Sequence, residues 1–167
     1  QSCGKDNHTR TYHLPKSEVP PKIQPVNSPK SGISWEIPEM WVISSGSSMR
    51  LASFDVPYRG GMGDLSVIQL AGTGGGLMPN INRWRRQLNL EPQSLHEIEK
   101  DVIEKKGKLG KYKMIRIVNF QNNSAFLVAI IPVENQTLFV KLSADPPGIQ
   151  EAESDFIFFC SSIHFVH

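Results

Sequence analysis

Apolar positions along this chain recur at two periods, and the switches between them predict its elements. "MRLASFDV" (Met49–Val56) alternates. Met49, Leu51, Ser53 and Asp55 fall on one side, and Arg50, Ala52, Phe54 and Val56 on the other. That is the period of a strand. "YRGGMGD" then turns the chain into a second strand, Leu65–Ala71, and the two predict an antiparallel hairpin with a loop longer than the minimal one. Tyr112–Phe120, Ala125–Val133 and Thr137–Ala144 read as three more strands. Ala125–Val133 is apolar on both faces, which places it at the sheet centre. Thr137–Ala144 puts Leu138, Val140 and Leu142 on one face and Phe139 and Lys141 on the other. Near the start, Ile33–Pro38 predicts a short strand stopped by Pro38. The loop that follows is expected to pack Trp41 and Val42.

The helical period appears twice with strength. Ile81, Trp84 and Leu88 are spaced by three and four, with Pro79 suited to the first turn. Arg83 and Arg86 point away from that stripe, Arg85 lies beside it, and the helix is expected to end near Asn89. After Pro146, Pro147 and Gly148, a longer stripe runs through Ile149, Ala152, Phe156, Phe159, Cys160 and Ile163, with Glu151, Glu153 and Asp155 toward its N-terminal end. Between them, Ser94 and Glu97 fit a capping box that starts a short helix. Lys105–Lys113, with five lysines and two glycines, reads as an exposed hairpin turn. The order β-β-β-α-(α)-β-β-β-α predicts an α+β fold, a mainly antiparallel sheet of about six strands flanked by two or three helices. Short hairpin links exclude a doubly wound parallel sheet.

Composition divides the chain in two. The first 32 residues contain Pro15, Pro20, Pro21, Pro25 and Pro29 and isolated apolar residues without a period. They are expected to form a disordered, extended linker ahead of a single domain at 33–167. Five of the 18 basic residues lie in this tail (Lys5, Arg10, Lys16, Lys22, Lys30) against Asp6 and Glu18, so the net charge of +2 comes from the tail and not from the body. So small a net charge gives no reason to expect a nucleic-acid partner, and no apolar run approaches the roughly 20 residues of a membrane span.

Chemistry is sparse. "AGTGGGLMPNINRWRRQL" (Ala71–Leu88) sets four glycines before a basic helix. A dinucleotide loop would need a third glycine where Leu77 stands, and a phosphate loop needs a Gly-Lys-Ser/Thr that does not follow. What remains is a helix start whose N–H groups can face an anion, with Arg83 or Arg86 assisting. Gly74, Gly75, Asn80, Asn82, Arg83 and Arg86 are therefore the candidate ligand- or partner-binding residues of the Gly72–Gly76 region. No catalytic residue, cofactor or metal site is predicted. His8 and His13, and His164 and His167, read as solvated or structural. Cys160 lies on the apolar stripe, where a thiol is inert even with His164 four residues on. Cys3, followed by Gly4 and a polar, proline-rich run, resembles the lipidated start of a mature bacterial lipoprotein. On that reading Gln1 and Ser2 close a leader cut just before Cys3.

The blocks "WEIPEMW", "MRLASF", "GG" before "NINRWRRQL", and "FVKL" with the closing aromatic helix resemble an uncharacterised family of small bacterial predicted lipoproteins, over about residues 34–166. Phe139 of "FVKL" stands where the family is expected to carry a tryptophan or another aromatic, a minor departure. The element order is also similar to the PsbP-like α/β/α sandwich of photosystem II extrinsic proteins and several bacterial envelope lipoproteins. The resemblance implies a non-enzymatic domain of the bacterial cell envelope, lipid-anchored and facing the periplasm or exterior. Its expected partner is an envelope protein, a glycan or a small ligand. An anion- or nucleotide-binding module built on Gly72–Gly76 with Arg83 and Arg86 is the alternative.

Overall fold

A computed structural model describes residues 32–167. The proline-rich tail, with Cys3, His8 and His13, lies outside the described residues. The main sheet has seven strands: β2 (Val42–Ile43), β3 (Ala52–Tyr58), β4 (Gly61–Ala71), β5 (Ile103–Gly107), β6 (Gly110–Asn119), β7 (Ser124–Val133) and β8 (Gln136–Ala144). Their order is β2-β3-β4-β8-β7-β6-β5, with every neighbouring pair antiparallel. β1 (Ile33–Ser34) and β9 (His164–Phe165) form a separate two-stranded pair. Helices α1 (Leu77–Gln87) and α2 (Leu95–Asp101) follow β4, and α3 (Pro146–Ser162) follows β8. The predicted α+β class is therefore observed.

Each face of the sheet carries its own core. On one, Phe54, Val56, Leu65, Val67, Leu127, Ala129, Ile131, Leu138, Val140 and Leu142 meet Ile149, Ala152, Phe156, Phe159, Cys160 and Ile163 of the α3 segment. Phe159 is the hub: its ring lies 5.7 Å from Trp35, 5.2 Å from Trp41 and 5.4 Å from Phe54. Tilted and edge-on aromatic packing of this kind adds to the burial of the rings. On the other face, Ile81, Trp84 and Leu88 of α1 and Ile98 of α2 cover Ile115, Ile117, Phe126, Val128 and Phe139. Side-chain caps fix where two of the helices start. Asp145 accepts from the Gly148 N–H at 2.7 Å at the start of α3, and Ser94 and Glu97 form the expected capping box of α2. Gly76 begins α1 with no side-chain cap.

Several expectations need correction. Ile33–Pro38 forms a strand only over Ile33–Ser34, because the Glu36 N–H donates to Ser162 Oγ at 2.8 Å and draws the chain across the end of α3. Val42 and Ile43 form an edge strand and are exposed; Trp41 alone packs. The β3–β4 hairpin is tight: Tyr58 pairs with Gly61, leaving Arg59 and Gly60 as the turn, with Gly60 at φ +97°. Lys105–Lys113 is a hairpin with β5 as one arm. The arm β5 is mostly charged on both faces, so no alternation marks it as a strand, and it forms through backbone pairing with β6. α1 begins at Leu77, so Pro79 stands in its first turn as expected. α3 ends at Ser162, so Cys160 and His164 do not share a helix; His164 turns its Nδ1 to Ser162 O at 2.8 Å.

Phe159 and Phe158 are neighbours in sequence but not in burial, at 0% and 48% exposed. Phe159→Ala is expected to cost about 3–5 kcal/mol, and Phe158→Ala within about 0.5 kcal/mol, as for other surface changes. Urea unfolding of the two variants checks this.

Candidate functional site

The glycine loop is closed upon itself. Gly72, Gly74, Gly75 and Gly76 all have positive φ. The Gly72 N–H donates to Asn135 O at 2.7 Å, Gly74 N–H to Ala71 O at 3.2 Å and Gly76 N–H to Thr73 O at 3.4 Å. Thr137 Oγ1 donates to Gly72 O at 2.7 Å. Asn80 is buried beneath the loop, and its Nδ2 donates to Gly74 O at 2.9 Å and Gly76 O at 2.6 Å. Gly74 presses on the sheet: a Cβ there would lie 2.5 Å from the Phe139 ring. These glycines let a strand turn sharply onto a helix that packs close to it, and Asn80 clamps the turn.

The six candidate residues do not form one constellation. Gly74, Gly75 and Asn80 sit at the N-terminal end of α1. Asn82 joins α1 to the following loop, donating from Nδ2 to Gln93 O at 2.9 Å and accepting the Gln93 N–H at 2.8 Å. Arg83 lies over the Trp84 ring at 5.7 Å. Arg86 is exposed near the other end of α1, lining a shallow hollow with Asn82, Asn89, Leu90, Glu91 and Pro92. Ten residues of helix separate Gly76 from Arg86, about 15 Å at 1.5 Å per residue. Arg86 therefore does not complete an anion site at the glycines.

The glycine loop does border a larger feature. A groove of about 550 Å³ runs between the loop and the β5–β6 hairpin, over the sheet face that also carries α1. Gly72, Thr73, Gly76 and Leu77 form one wall, and Glu104, Lys111 and Lys113 the other. Ile130, Pro132 and Thr137 make its floor. Glu104 pairs with Lys111 at 2.9 Å, and that pair raises the Lys111 pKa. The sequence pattern does not show this wall, because Lys105–Lys113 reads as a turn. The signal was Ile103, an apolar residue ahead of the lysines. Elsewhere, burial pushes the Cys160 thiol well up and raises Tyr112, whose hydroxyl meets Ser161 Oγ at 2.9 Å. Among the described residues, no group of three His, Cys, Asp or Glu side chains could hold a metal ion.

Gly72 and Gly74 share nearly the same φ, +60° and +64°, but a Cβ at Gly72 would meet nothing within 4 Å. Gly72→Ala is expected to lose about 1 kcal/mol for the left-handed backbone alone. Gly74→Ala is expected to lose about 1–3 kcal/mol more, for displacing Phe139. Equilibrium denaturation of both variants separates strain from packing.

No protein-family model and no curated protein matches this chain. Solved structures do. The solution structure of the cyanobacterial PsbP protein, CyanoP, from Synechocystis sp. PCC 6803 aligns with TM-score 0.57 at 16% identity, over 99% of this chain and 98% of that one. A crystal structure from Bacteroides thetaiotaomicron VPI-5482 aligns with TM-score 0.47 at 12% identity, over 87% of this chain, which spans 47% of that protein's length. At such identity the likeness to CyanoP concerns the fold alone: this chain has a PsbP-like α+β fold, an antiparallel sheet with helices packed on both faces.

Proposed function

We propose that this chain is a non-catalytic binding domain of the bacterial envelope, held to a membrane by lipid on Cys3. It takes an envelope protein, a glycan or a small ligand in the groove beside Gly72–Leu77. The groove carries the reading. Its volume suits a small ligand or a few residues of a partner, and its walls mix an apolar floor with a few polar groups, the usual make-up of a binding cleft. Its charged wall supports binding over catalysis. Glu104 and Lys111 neutralise each other in water, an arrangement that orients a ligand but does not tune an acid or base. The glycine loop then has a role without phosphate: its missing side chains keep one wall low, and Asn80 keeps it rigid. The anchor rests on Cys3-Gly4 and the proline-rich run after it.

Screening a library of small amphipathic fragments by amide NMR is expected to give hits that perturb Thr73, Leu77, Lys113 and Ile130 together. Ile130→Arg, which fills the groove from its half-exposed floor, is expected to abolish them while leaving the amide spectrum of the α3 face unchanged. Hits scattered over the surface, or insensitive to Ile130→Arg, would remove the reading. For the anchor, Cys3→Ala is expected to move the protein from the membrane to the soluble fraction and to end incorporation of labelled palmitate. Unchanged fractionation would reject lipidation.

A further inference from the structure

The half of the sheet beyond α1, on the same face, carries an unusual concentration of positive charge. Ser53 on β3, Ser66 on β4 and Lys141 on β8 lie side by side in one row across three strands. The neighbouring row holds Asp55, Asp64 and Ser143. Lys141 interrupts the otherwise apolar run Leu138–Leu142 and is only half-exposed. Its Nζ sits 4.5 Å from the centre of the Phe126 ring and 3.4 Å from Gln87 Oε1 of α1. Arg50 closes the outer side. Its two Nη atoms donate to Asp64 at 2.9 and 2.8 Å, and Nη1 also donates to Ser53 Oγ at 3.2 Å. Arg83 approaches from α1, stacked beside Trp84.

The charges do not cancel. Asp64 matches Arg50 bidentately, and that contact holds the Asp64 carboxyl below its usual range. Lys141 and Arg83 have no carboxylate partner among the described residues. Asp55, the other acid on this half of the face, is two strands over and one row away, roughly 12 Å from Lys141 by strand spacing, beyond the reach of unscreened attraction in salt. Ser53 and Ser66 lie between the cations. Ser53 Oγ accepts from Arg50, and both serines are buried, closing the floor beneath the cations. Burial lowers the Lys141 pKa, and Arg50 and Arg83 lower it further, while Asp64 opposes them by less. An ammonium held next to two guanidiniums is stabilised by whatever anion enters among them.

We propose that Lys141, Arg83 and Arg50 form a site for a phosphate group above the row of β3, β4 and β8 that Ser53 and Ser66 close from below. Two unmatched cations suit a dianion. The site is separate from the ligand groove. Phe139, covered by Trp84 at 5.8 Å, stands between them on β8. It also differs from an anion site at the glycine loop, whose Gly72, Gly74 and Gly76 N–H groups already donate to carbonyls.

The test is a titration of the full chain with inorganic phosphate at constant ionic strength, followed by amide and lysine side-chain NMR. Saturable shifts at Ser66 and Lys141 in the millimolar range, with a rise in the Lys141 pKa, are expected. Lys141→Met keeps the aliphatic stem on Phe126 and is expected to weaken binding on the order of tenfold, the scale of one charge-assisted hydrogen bond. Arg83→Gln, at the helix surface, is expected to weaken it as well, and Arg86→Gln to leave it unchanged. Acetate in a parallel titration is expected to bind more weakly; equal binding would overturn the assignment to phosphate. Shifts centred on Gly72–Asn80, shifts that survive Lys141→Met and Arg83→Gln, or no saturation would each overturn the site.

Discussion

Burial of β7 on both of its faces is the constraint on which this structure depends. Ala125, Leu127, Ala129, Ile131 and Val133 turn to one side, and Phe126 and Val128 to the other, with neither set exposed. Burying one large aliphatic side chain is worth about 1.5–3 kcal/mol, so leaving either set in water would forfeit much of a domain's marginal stability. A layer must therefore cover each face. α3 supplies one, with the aromatic cluster around Phe159 extending it to Trp35 and Trp41. α1 and α2 supply the other. β7 and β8 meet through a two-residue turn, so the same demand passes to β8, whose Leu138, Val140 and Leu142 face α3 while Phe139 faces Trp84.

The two layers are unequal, and the proposed sites follow from that inequality. α3 is 17 residues long and reaches across the sheet from β3 to the edge strand β5. α1 and α2 are 11 and 7 residues, too short to cover a seven-stranded face. The turn end of β7 and β8 is left beside the glycine loop as a groove. The β3–β4–β8 side is left as a polar floor of Ser53, Ser66 and Lys141. Ser53 and Ser66 are themselves buried, so of this row only Lys141 is partly open to water. The clamp of Asn80 on the glycine carbonyls fixes how close α1 comes to the sheet, and so how wide both openings are.

Much of this architecture was legible in the residues. The alternation Ala52, Phe54, Val56 and the stripe Ile81, Trp84, Leu88 report inward faces directly, because one side of each element must meet the core. The Ser94–Glu97 box marks a helix start by local hydrogen bonds alone. β5 was not legible. Its residues are mostly charged, and they form a strand because β6 offers them backbone partners. The short β1–β9 pair escaped for the same reason: Ile33 and Phe165 are far apart in sequence and meet only after α3 has brought them together. The candidate site was partly readable. The glycines and Asn80 do work together, but Arg86 was grouped with them by sequence distance and lies at the far end of a rigid helix.

The residues by themselves determined the periods, the caps and the two-sided apolar strand, and hence the α+β class with a helical layer on each face. These are local or pattern properties, set by side-chain direction and by hydrogen bonds within a few positions. Only the tertiary structure decided which polar residues become neighbours. Ser53, Ser66 and Lys141 share a row because antiparallel register aligns three strands from distant parts of the chain, and the opposite wall of the groove comes from a hairpin more than 25 residues beyond the glycines. Register is a property of strands already paired, and no short stretch of one strand carries it.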